Sequence, residues 1–245
     1  RQRQMCIRDR PYGIQRGYIA LGLFRDEADI NNSPIQTFGI YEAGDIKYKD
    51  VNGDGRIDVD DQVPLSYDNY PRLMYGFGGE FRYKNLTFNI LFKGIGKKDF
   101  FYTSEESGFG YYPFLYGETG NVLSIVANSK NRWIPASYSG DPSTENPNAR
   151  FPRLSYGKNG NNTQKSTFWK ANGQYLRLQE ISIGYNLKLK ALSKVGISSI
   201  DLQLVGQDLY VWDKIGGLWD PEQTTKNGRA YPIPATYSLQ MYINF

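Results

Sequence analysis

The sequence predicts an all-β fold in which antiparallel strands follow one another up and down along the chain. Its 245 residues include 20 Tyr, 13 Phe, 26 Gly and 12 Pro, a composition that favours strands joined by turns. Several segments alternate apolar and polar residues, which is the pattern of a strand with two different faces. Short and long connections alternate between these segments.

The clearest strand pattern lies in residues 235–245, ATYSLQMYINF. Alternate positions carry Tyr237, Leu239, Met241, Ile243 and Phe245, and the positions between them are mostly polar. This period of two predicts one apolar and one polar face. In a soluble sandwich such a segment is a half-buried edge strand. In a bacterial outer-membrane barrel, a closing strand that ends in an aromatic residue is the expected assembly signal.

Further strands are predicted upstream. Residues 72–94 predict a hairpin with a tight turn at Lys84 and Asn85. Residues 174–187 and 197–212 also read as strands, and residues 17–24 give a shorter candidate. Together these segments predict about six strands and no long helix.

The connections between these strands predict the architecture. They are long at residues 25–71, 95–173 and 213–234, and short at 84–85 and 188–196. Long loops on one side and tight turns on the other are typical of an up-and-down transmembrane β-barrel. We therefore expect the C-terminal portion of an outer-membrane barrel, with the long loops outside the cell. Six strands cannot close such a barrel, so we expect the chain to be part of a larger one.

The first ten residues, RQRQMCIRDR, do not fit this pattern. They lack the apolar segment of a signal peptide and any helical or strand periodicity. Residues 1–10 resemble the translated read-through of a sequencing adapter, and the alternative is a basic disordered tail. We expect residues 11–245 to belong to the barrel.

Composition excludes several classes of site. The chain has no His, which removes His-based zinc sites, Ser-His-Asp triads and His general bases. Cys6 is the only Cys, so neither a disulfide nor a thiolate metal site is expected. The net charge of +4 is dispersed along the chain, and we do not expect nucleic-acid binding.

Residues 50–61, DVNGDGRIDVDD, match the spacing of a calcium loop. The predicted ligands are the side chains or, for the arginine, the main-chain carbonyl of Asp50, Asn52, Asp54, Arg56, Asp58 and Asp61. The last position is Asp, where an EF-hand has Glu, and the preceding GDIKYK reads as a strand. We therefore predict a structural Ca²⁺ staple with Ile57 packed on a neighbour, and not a calcium sensor. The alternative is an Asx-rich turn without metal.

Other candidate sites are weaker. The pairs Glu105 with Glu106 and Asp220 with Glu222 could serve as glycosidase carboxylates, but nothing brings them to a catalytic spacing. We interpret them as solvated loop charges and predict no enzymatic activity. Residues 157–162, GKNGNN, lack the spacing of a phosphate loop and predict a turn.

Several stretches together resemble the C-terminal part of the SusC/RagA family of TonB-linked outer-membrane transporters of Bacteroidetes. In chain order they are SPIQTFG, AGDIKYKDVNGDGRID, RLMYGFGGEFRYKNLTFNILFKGIG, NRWIP, YLRLQEISIGYNL, GQDLYVWDKIGGLWDPE and TYSLQMYINF. The resemblance spans residues 17–245. It implies a barrel with a plug, capped by a SusD-like surface lipoprotein and energised through the TonB complex, which imports oligosaccharides or peptides. The plug and the TonB box have no counterpart in these residues.

On this interpretation the two faces of the strands have different partners. The residues expected to face outer-membrane lipid are Leu73, Tyr75, Phe77, Phe81, Leu86, Phe88, Ile90, Phe92, Leu239, Met241 and Ile243. Those expected in an aromatic girdle are Tyr210, Trp212 and Tyr237. Those expected to line the lumen are Arg72, Glu80, Arg82, Lys93, Gln240 and Asn244. The alternative fold is a secreted, calcium-stapled β-sandwich that binds carbohydrate, which would bury the same aromatic residues as its core.

Overall fold

The structure is a computed structural model that describes residues 14–66, 71–102, 124–156, 159–188, 196–216, 220–222 and 231–245. Residues 1–10, Glu105 and Glu106, for which expectations are stated above, lie outside these ranges. None of the helices in the described part of the chain is long and apolar enough to cross a membrane. The chain divides into two compact units, which we call the loop unit and the sheet unit.

The strands, in chain order, are β1 (Arg16–Gly17), β2 (Ala20–Leu23), β3 (Ile35–Gln36), β4 (Ile46–Tyr48), β5 (Arg56–Ile57), β6 (Val63–Pro64), β7 (Leu73–Tyr83), β8 (Leu86–Gly96), β9 (Asp99–Phe101), β10 (Lys170–Asn172), β11 (Tyr175–Leu187), β12 (Ser199–Asp213) and β13 (Thr236–Asn244). The α-helices are α1 (Glu27–Asn31), α2 (Ser124–Ala127) and α3 (Ala136–Ser139). Single 3-10 turns occur at Val59–Asp61, Pro142–Thr144 and Thr167–Trp169.

The sheet unit comprises Tyr70–Lys98, Asn172–Gln223 and Tyr231–Phe245. Its strands form one antiparallel sheet in the order β7, β8, β11, β12, β13, so each strand pairs with the next one along the chain that belongs to this sheet. The predicted hairpin turn is confirmed, with Lys84 at a φ of 54°. Tyr83, Leu187 and Asn244 all lie at the same end of the strands, where the short turns connect them. The long connections leave from the opposite ends of the strands.

A bulge interrupts the pairing of β11 with both of its neighbours. The pairing register with β8 shifts between Leu178 and Glu180, so Gln179 is an extra residue without a counterpart on β8. On β12 the same step leaves Asp208 and Leu209 opposite Gln179, and Asp208 adopts a φ of 52°. Because of the extra residue, the apolar face of β11 changes from even-numbered to odd-numbered positions.

The expected sixth strand does not join this sheet, which corrects the predicted strand arrangement. Residues 17–24 instead contribute to two small sheets, in which β1 pairs with β6 and β2 pairs with β4. The register of β2 shifts between Ala20 and Gly22, and Gly22 has a φ of 119°. In the described part of the chain, five strands therefore form one open sheet, and the remaining strands form two-stranded sheets.

The loop unit comprises Arg1–Asn69, Asp99–Ala171 and Thr224–Ala230. Its core includes the fully buried side chains of Phe24, Ile46, Tyr48, Ile57 and Trp169. In the second long connection, Trp133 and Phe151 are only 4% and 3% exposed. The long connections are therefore folded in their described parts, because their aromatic residues bury enough surface to order them.

Buried side-chain amides join distant parts of the loop unit. Asn161 and Asn162 belong to the predicted turn at residues 157–162, of which the structure describes residues 159–162. Both amides are fully buried, and Asn162 Nδ2 donates to Asp45 Oδ1 at 2.8 Å. Asn162 Oδ1 accepts from the Ile46 amide at 2.8 Å. These contacts fix the turn against β4.

Candidate functional site

One face of the five-stranded sheet is an apolar surface. Cross-strand pairs place Phe77 opposite Phe92, Phe81 opposite Phe88, and Leu204 opposite Leu239 on this face. Large parts of these side chains are exposed, including 64% of Phe81, 75% of Leu239 and 60% of Met241. The register thus puts the residues expected to face lipid on one side. A continuous exposed surface of this kind is typical of contact with a membrane or another apolar partner.

Aromatic side chains lie close together on the apolar face, near the strand ends that lead into the long connections. Tyr210 and Trp212 form an edge-to-face pair with ring centroids 4.7 Å apart, and the Phe92 ring lies 6.3 Å from Trp212. Tyr237 pairs in register with Gly206 on the same face and is 74% exposed. This is the position at which a girdle of aromatic residues meets a membrane interface in β-barrels.

The opposite face is a polar network. Asn89 Nδ2 donates to Ser182 Oγ at 3.0 Å, and Glu80 pairs in register with Asn89. Asn244 Nδ2 donates to Ser199 Oγ and to Asp201 Oδ2, each at 2.9 Å. The register also places Arg82, Lys93 and Gln240 on this face, as expected. Arg72 lies immediately before the first residue of β7.

Arg177 is the centre of a buried ion cluster on the polar face. Its side chain is 2% exposed, and its Nη2 donates to both carboxylate oxygens of Asp220 at 2.6 Å. Its Nε donates to Glu222 Oε1 at 2.6 Å, and Lys93 Nζ donates to Glu222 Oε2 at 3.0 Å. Asp208 Oδ1 lies 3.8 Å from Arg177 Nε. Arg177 and Asp220 are the buried centre of this cluster, and the partly exposed Lys93, Glu222 and Asp208 surround them. The two cations offset two of the three carboxylate charges.

This cluster corrects the interpretation of Asp220 and Glu222 as solvated charges. Asp220 is 8% exposed, and both carboxylates bind Arg177 on β11. The segment 220–222 belongs to the long connection between β12 and β13, so the ion pairs hold that connection against the polar face. The sequence did not predict this cluster, because Asp220 and Glu222 are distant from Arg177 in the chain. The one local signal was the presence of a charged residue, Arg177, within a predicted strand.

The predicted calcium ligands lie together in one turn of the loop unit. Asp50 accepts the amides of Gly53 at 2.6 Å and Gly55 at 2.8 Å. Asp61 accepts the amides of Val51 at 2.7 Å and Asp58 at 3.0 Å. Burial alone would raise the pKa of Asp61, but its backbone hydrogen bonds outweigh burial and the pKa is lowered.

The remaining loop residues make similar local contacts. Asn52 Oδ1 accepts the Asp54 amide, Asp54 Oδ1 accepts the Arg56 amide, and Asp58 Oδ1 accepts the Asp60 amide. Gly53 and Gly55 have φ values of 80° and 82°, which only glycine adopts without strain. Ile57 is fully buried, and β5 pairs with β3, so the loop does pack on a neighbour as predicted.

The donor set of this loop suits a hard cation by its chemistry, because it is built from carboxylate and amide oxygens. Each carboxylate oxygen can accept more than one hydrogen bond or metal contact, so the backbone contacts leave lone pairs for a cation. Among the described residues, no three His, Cys, Asp or Glu side chains converge in a metal-binding group. The loop is stabilised here by its own hydrogen bonds.

Comparisons with known proteins relate this architecture to a class of receptors. No protein-family model matches the chain. TonB-dependent receptor P26 of Formosa agariphila is 27% identical over 92% of this chain and 22% of its own length. TonB-dependent receptor P3 of the same organism is 26% identical over 100% of this chain and 23% of its own length. The chain is similar to a segment of a TonB-dependent receptor.

Solved structures show the same fold. A chain of the RagAB peptide transporter matches 95% of this chain with a TM-score of 0.64 and 16% sequence identity, over 23% of its own length. The RagAB peptide importer in its closed-closed state matches with a TM-score of 0.61. The SusC/RagA resemblance and the expectation of a non-enzymatic protein are confirmed, since the matched proteins are receptors and transporters. The chain spans less than a quarter of the length of these relatives.

Proposed function

We propose that this chain forms the last strands and loops of an outer-membrane importer of the SusC/RagA type. Its five-stranded sheet would be part of the barrel wall, with the apolar face against lipid and the polar face towards the lumen. The long connections would lie outside the cell. The substrate would be an oligosaccharide or a peptide, bound beneath a SusD-like lipoprotein and taken up when the TonB complex acts on a plug.

The observation that carries this proposal is the sidedness of the sheet. Its strands are sequential antiparallel neighbours, whose polar face is linked by side-chain hydrogen bonds and ion pairs. Its other face exposes Phe77, Phe81 and Leu239 by 53%, 64% and 75%. The alternative β-sandwich would bury these side chains beneath a second sheet. Their exposure favours the barrel.

We further propose that the loop of residues 50–61 binds Ca²⁺ and stabilises an extracellular loop of the importer. Oxygen donors at the spacing of a calcium loop, the two positive-φ glycines and the buried Ile57 support this proposal. The ion would be structural, and its removal would loosen the turn without changing the sheet.

The intact gene upstream of Pro11 and its downstream neighbour provide the first test. An upstream frame that encodes a plug, a TonB box and further strands, followed by a lipoprotein gene, is the expected result. A start codon and signal peptide just upstream, without further strands, would overturn the barrel proposal.

Uptake experiments test the function itself. A strain that lacks the gene should lose growth on the imported nutrient, and a strain that lacks TonB should show the same defect. Parallel growth on oligosaccharides and on short peptides distinguishes the two substrate classes. Uptake that continues at the normal rate without TonB would contradict energised import.

A further inference from the structure

Asn52 and Gly53, in the loop of residues 50–61, form a pair with a chemistry of its own. When glycine follows asparagine, the main-chain nitrogen of the glycine can attack the side-chain carbonyl carbon of the asparagine, because glycine has no side chain to hinder ring closure. The product is a succinimide, which water opens to aspartate or isoaspartate. Asn-Gly pairs begin at positions 52, 159, 172 and 227, and the structure describes the first three.

The pair at Asn52 lies in open surroundings. Asn52 and Gly53 are both exposed, and no atom outside the immediate chain lies within 4 Å of the position that a Cβ would occupy at Gly53. Gly53 also has a φ of 80°, which residues with a side chain rarely adopt. Solvent therefore reaches the peptide between the two residues, and there is space on the glycine side for a ring to close.

The hydrogen bonds of Asn52 fold its side chain back over the peptide that follows. Asn52 Oδ1 accepts the amide of Asp54 at 3.0 Å, and Asn52 Nδ2 donates to Asp54 Oδ2 at 3.1 Å. The first contact forms an Asx turn, in which the side-chain carbonyl lies beside the next main-chain groups. The Asp54 N–H would also stabilise the negative charge that develops on Oδ1 when the carbonyl carbon is attacked.

Asp50 provides an acceptor for the proton of the attacking nitrogen. The Gly53 amide donates to Asp50 Oδ1 at 2.6 Å, which is within the reach of a general base. The second oxygen holds the carboxylate in place, because Asp50 Oδ2 accepts the Gly55 amide at 2.8 Å. The nucleophile, the carbonyl group that it attacks and a carboxylate base therefore lie within one short turn.

The pair at Asn172 forms the same turn with a different proton acceptor. Asn172 is exposed, and its Oδ1 accepts the Gln174 amide at 3.0 Å. The Gly173 amide, however, donates to the carbonyl oxygen of Lys98 at 2.9 Å. A neutral carbonyl is a weaker proton acceptor than a carboxylate. Asn172 thus reproduces the turn of Asn52 without its base.

The pair at Asn159 is protected by burial. Asn159 is 7% exposed, and its Nδ2 donates to Asp45 Oδ1 at 3.1 Å. Its Oδ1 accepts the amides of Asn161 and Asn162 at 2.9 and 3.1 Å. A Cβ at Gly160 would lie 2.2 Å from a neighbouring main-chain oxygen, so this peptide is enclosed. Of the three described pairs, the one at Asn52 combines exposure with a carboxylate acceptor.

We propose that Asn52 deamidates spontaneously, with Asp50 as the base. The Gly53 nitrogen forms a bond to Asn52 Cγ while its proton passes to Asp50. The bond from Cγ to Nδ2 then breaks, and ammonia leaves with that proton. Water opens the succinimide at either carbonyl to give aspartate or isoaspartate. The reaction places a carboxylate at a predicted ligand position that was a neutral amide, so it adds one negative charge to the loop. This chemistry goes beyond import and requires no transport activity.

Incubation in heavy-oxygen water tests this proposal. Full-length protein purified from outer membranes is kept in detergent at neutral pH with EGTA, and it is then digested and analysed in ordinary water. Each succinimide that hydrolyses during the incubation takes up one heavy oxygen, which mass spectrometry assigns to its residue. We expect Asn52 to gain label roughly 10- to 100-fold faster than Asn172, because only Asn52 has a carboxylate base, and we expect no label at Asn159.

Two variants with the same change of charge distinguish the base from its surroundings. Asp50→Asn keeps an acceptor oxygen but removes the carboxylate, and it should slow the labelling of Asn52 roughly 10-fold or more. Asp60→Asn is the matched control, since Asp60 carries the same charge in the same loop while the Gly53 amide donates to Asp50. It should label at the wild-type rate. Protein unfolded in urea should label Asn52, Asn159 and Asn172 at similar rates, because all three precede glycine.

Two contrary results would overturn different parts of the proposal. Labelling of Asn52 no faster than that of Asn172 in the folded protein would overturn the site. Equal rates in the Asp50→Asn protein and the wild type, or equal slowing by Asp50→Asn and Asp60→Asn, would overturn the role of Asp50 as the base. Neither result would bear on import.

Discussion

Arg177 Nη2 donates to both carboxylate oxygens of Asp220 at 2.6 Å, although 43 positions separate the two residues in the sequence. One partner lies on β11 and the other lies in the connection between β12 and β13. The pair therefore joins a loop to the polar face of the sheet. The side chains of Arg177 and Asp220 are 2% and 6% exposed, so solvent and salt screen their electrostatic attraction only weakly.

We predict that Arg177→Met destabilises the full-length protein by about 3–5 kcal/mol, because it leaves Asp220 and Glu222 without their cation in a buried site. The double variant Arg177→Met/Asp220→Leu should recover part of this loss. Urea unfolding measures stability, and limited proteolysis of residues 213–235 reports release of the connection. Arg82→Met is the control, since Arg82 lies on the same face with its side chain 73% exposed. Equal protease resistance of the Arg177→Met protein and the wild type would contradict the role of the cluster.

The sidedness of β13 predicts opposite results for two neighbouring substitutions. Leu239→Arg puts a charge on the apolar face and should cost about 2–4 kcal/mol in the membrane, enough to block barrel assembly. Gln240→Arg puts the same charge on the polar face and should assemble normally. The amount of each variant in isolated outer membranes measures the difference. If the Leu239→Arg protein accumulated at the wild-type level, the assignment of the faces would be wrong.

Removal of divalent cations should expose the loop of residues 50–61 to trypsin. Arg56 is exposed within this loop and offers a cleavage site. We expect EGTA to speed cleavage after Arg56, and Asp54→Asn to have the same effect without EGTA, because both weaken the ligand set. Asp60→Asn is the control, since Asp60 is not one of the predicted ligands. A cleavage rate that EGTA leaves unchanged would show that hydrogen bonds alone hold the turn.

Alanine substitutions at Gly44 and Gly140 distinguish the free-energy cost of backbone strain from that of steric overlap. Both have positive φ, 85° and 72°, so an alanine at either position should cost about 1–2 kcal/mol. At Gly44 the new methyl group would also collide with Trp133, whereas it meets nothing within 4 Å at Gly140. We expect Gly44→Ala to cost about 1–3 kcal/mol more than Gly140→Ala, measured by denaturant unfolding. Equal losses would mean that the indole moves freely.

Acid should weaken the contact between α1 and β4. The hydrogen bond from Lys47 Nζ, at 2.8 Å, is the main cause of the lowered pKa of Asp29. Because the folded-state pKa lies below the unfolded value of about 3.9, the stabilisation is complete above that pH and is lost as pH falls through the folded pKa.

Hydrogen exchange of α1 checks this pH dependence. Asp29→Asn should reduce protection of α1 near neutral pH by about 1 kcal/mol, and the difference from wild type should shrink below the unfolded pKa. Glu27→Gln serves as the control, because Glu27 is an exposed residue of the same helix. A difference that persists unchanged in acid would assign the stabilisation to something other than the charge of Asp29.

The long strands could be predicted because each holds one apolar and one polar face over many residues. β7 and β8 keep this alternation over most of their 11 residues each, and their turn falls at Lys84 as expected. Residues 17–24 have a similar composition over a shorter stretch, but they pack into the core of the loop unit. In that case burial of Tyr18 and Phe24 decided the structure, and short alternation alone did not.

The sites that depend on distant contacts could not be predicted. The buried amide contacts of the loop unit place Asp45 beside Asn162, a contact that spans 117 positions, and no local pattern indicates it. Arg177 and Glu222 are similarly far apart, at 45 positions. The calcium-like loop was found because its donors lie within one short segment. Local spacing therefore predicts local chemistry, and tertiary packing determines the rest.

The bulge at Gln179 determines where this strand can change length during evolution. Loss of one residue from a regular part of β11 would turn every later side chain to the opposite face, and Ile183 would then point towards the polar network. Loss of Gln179 itself would instead restore simple alternation from Leu178 to Ile181. A homologue that is one residue shorter in this strand is therefore expected to lack Gln179. Single-residue deletions elsewhere in β11 should be rarer, because they would exchange the apolar and polar faces.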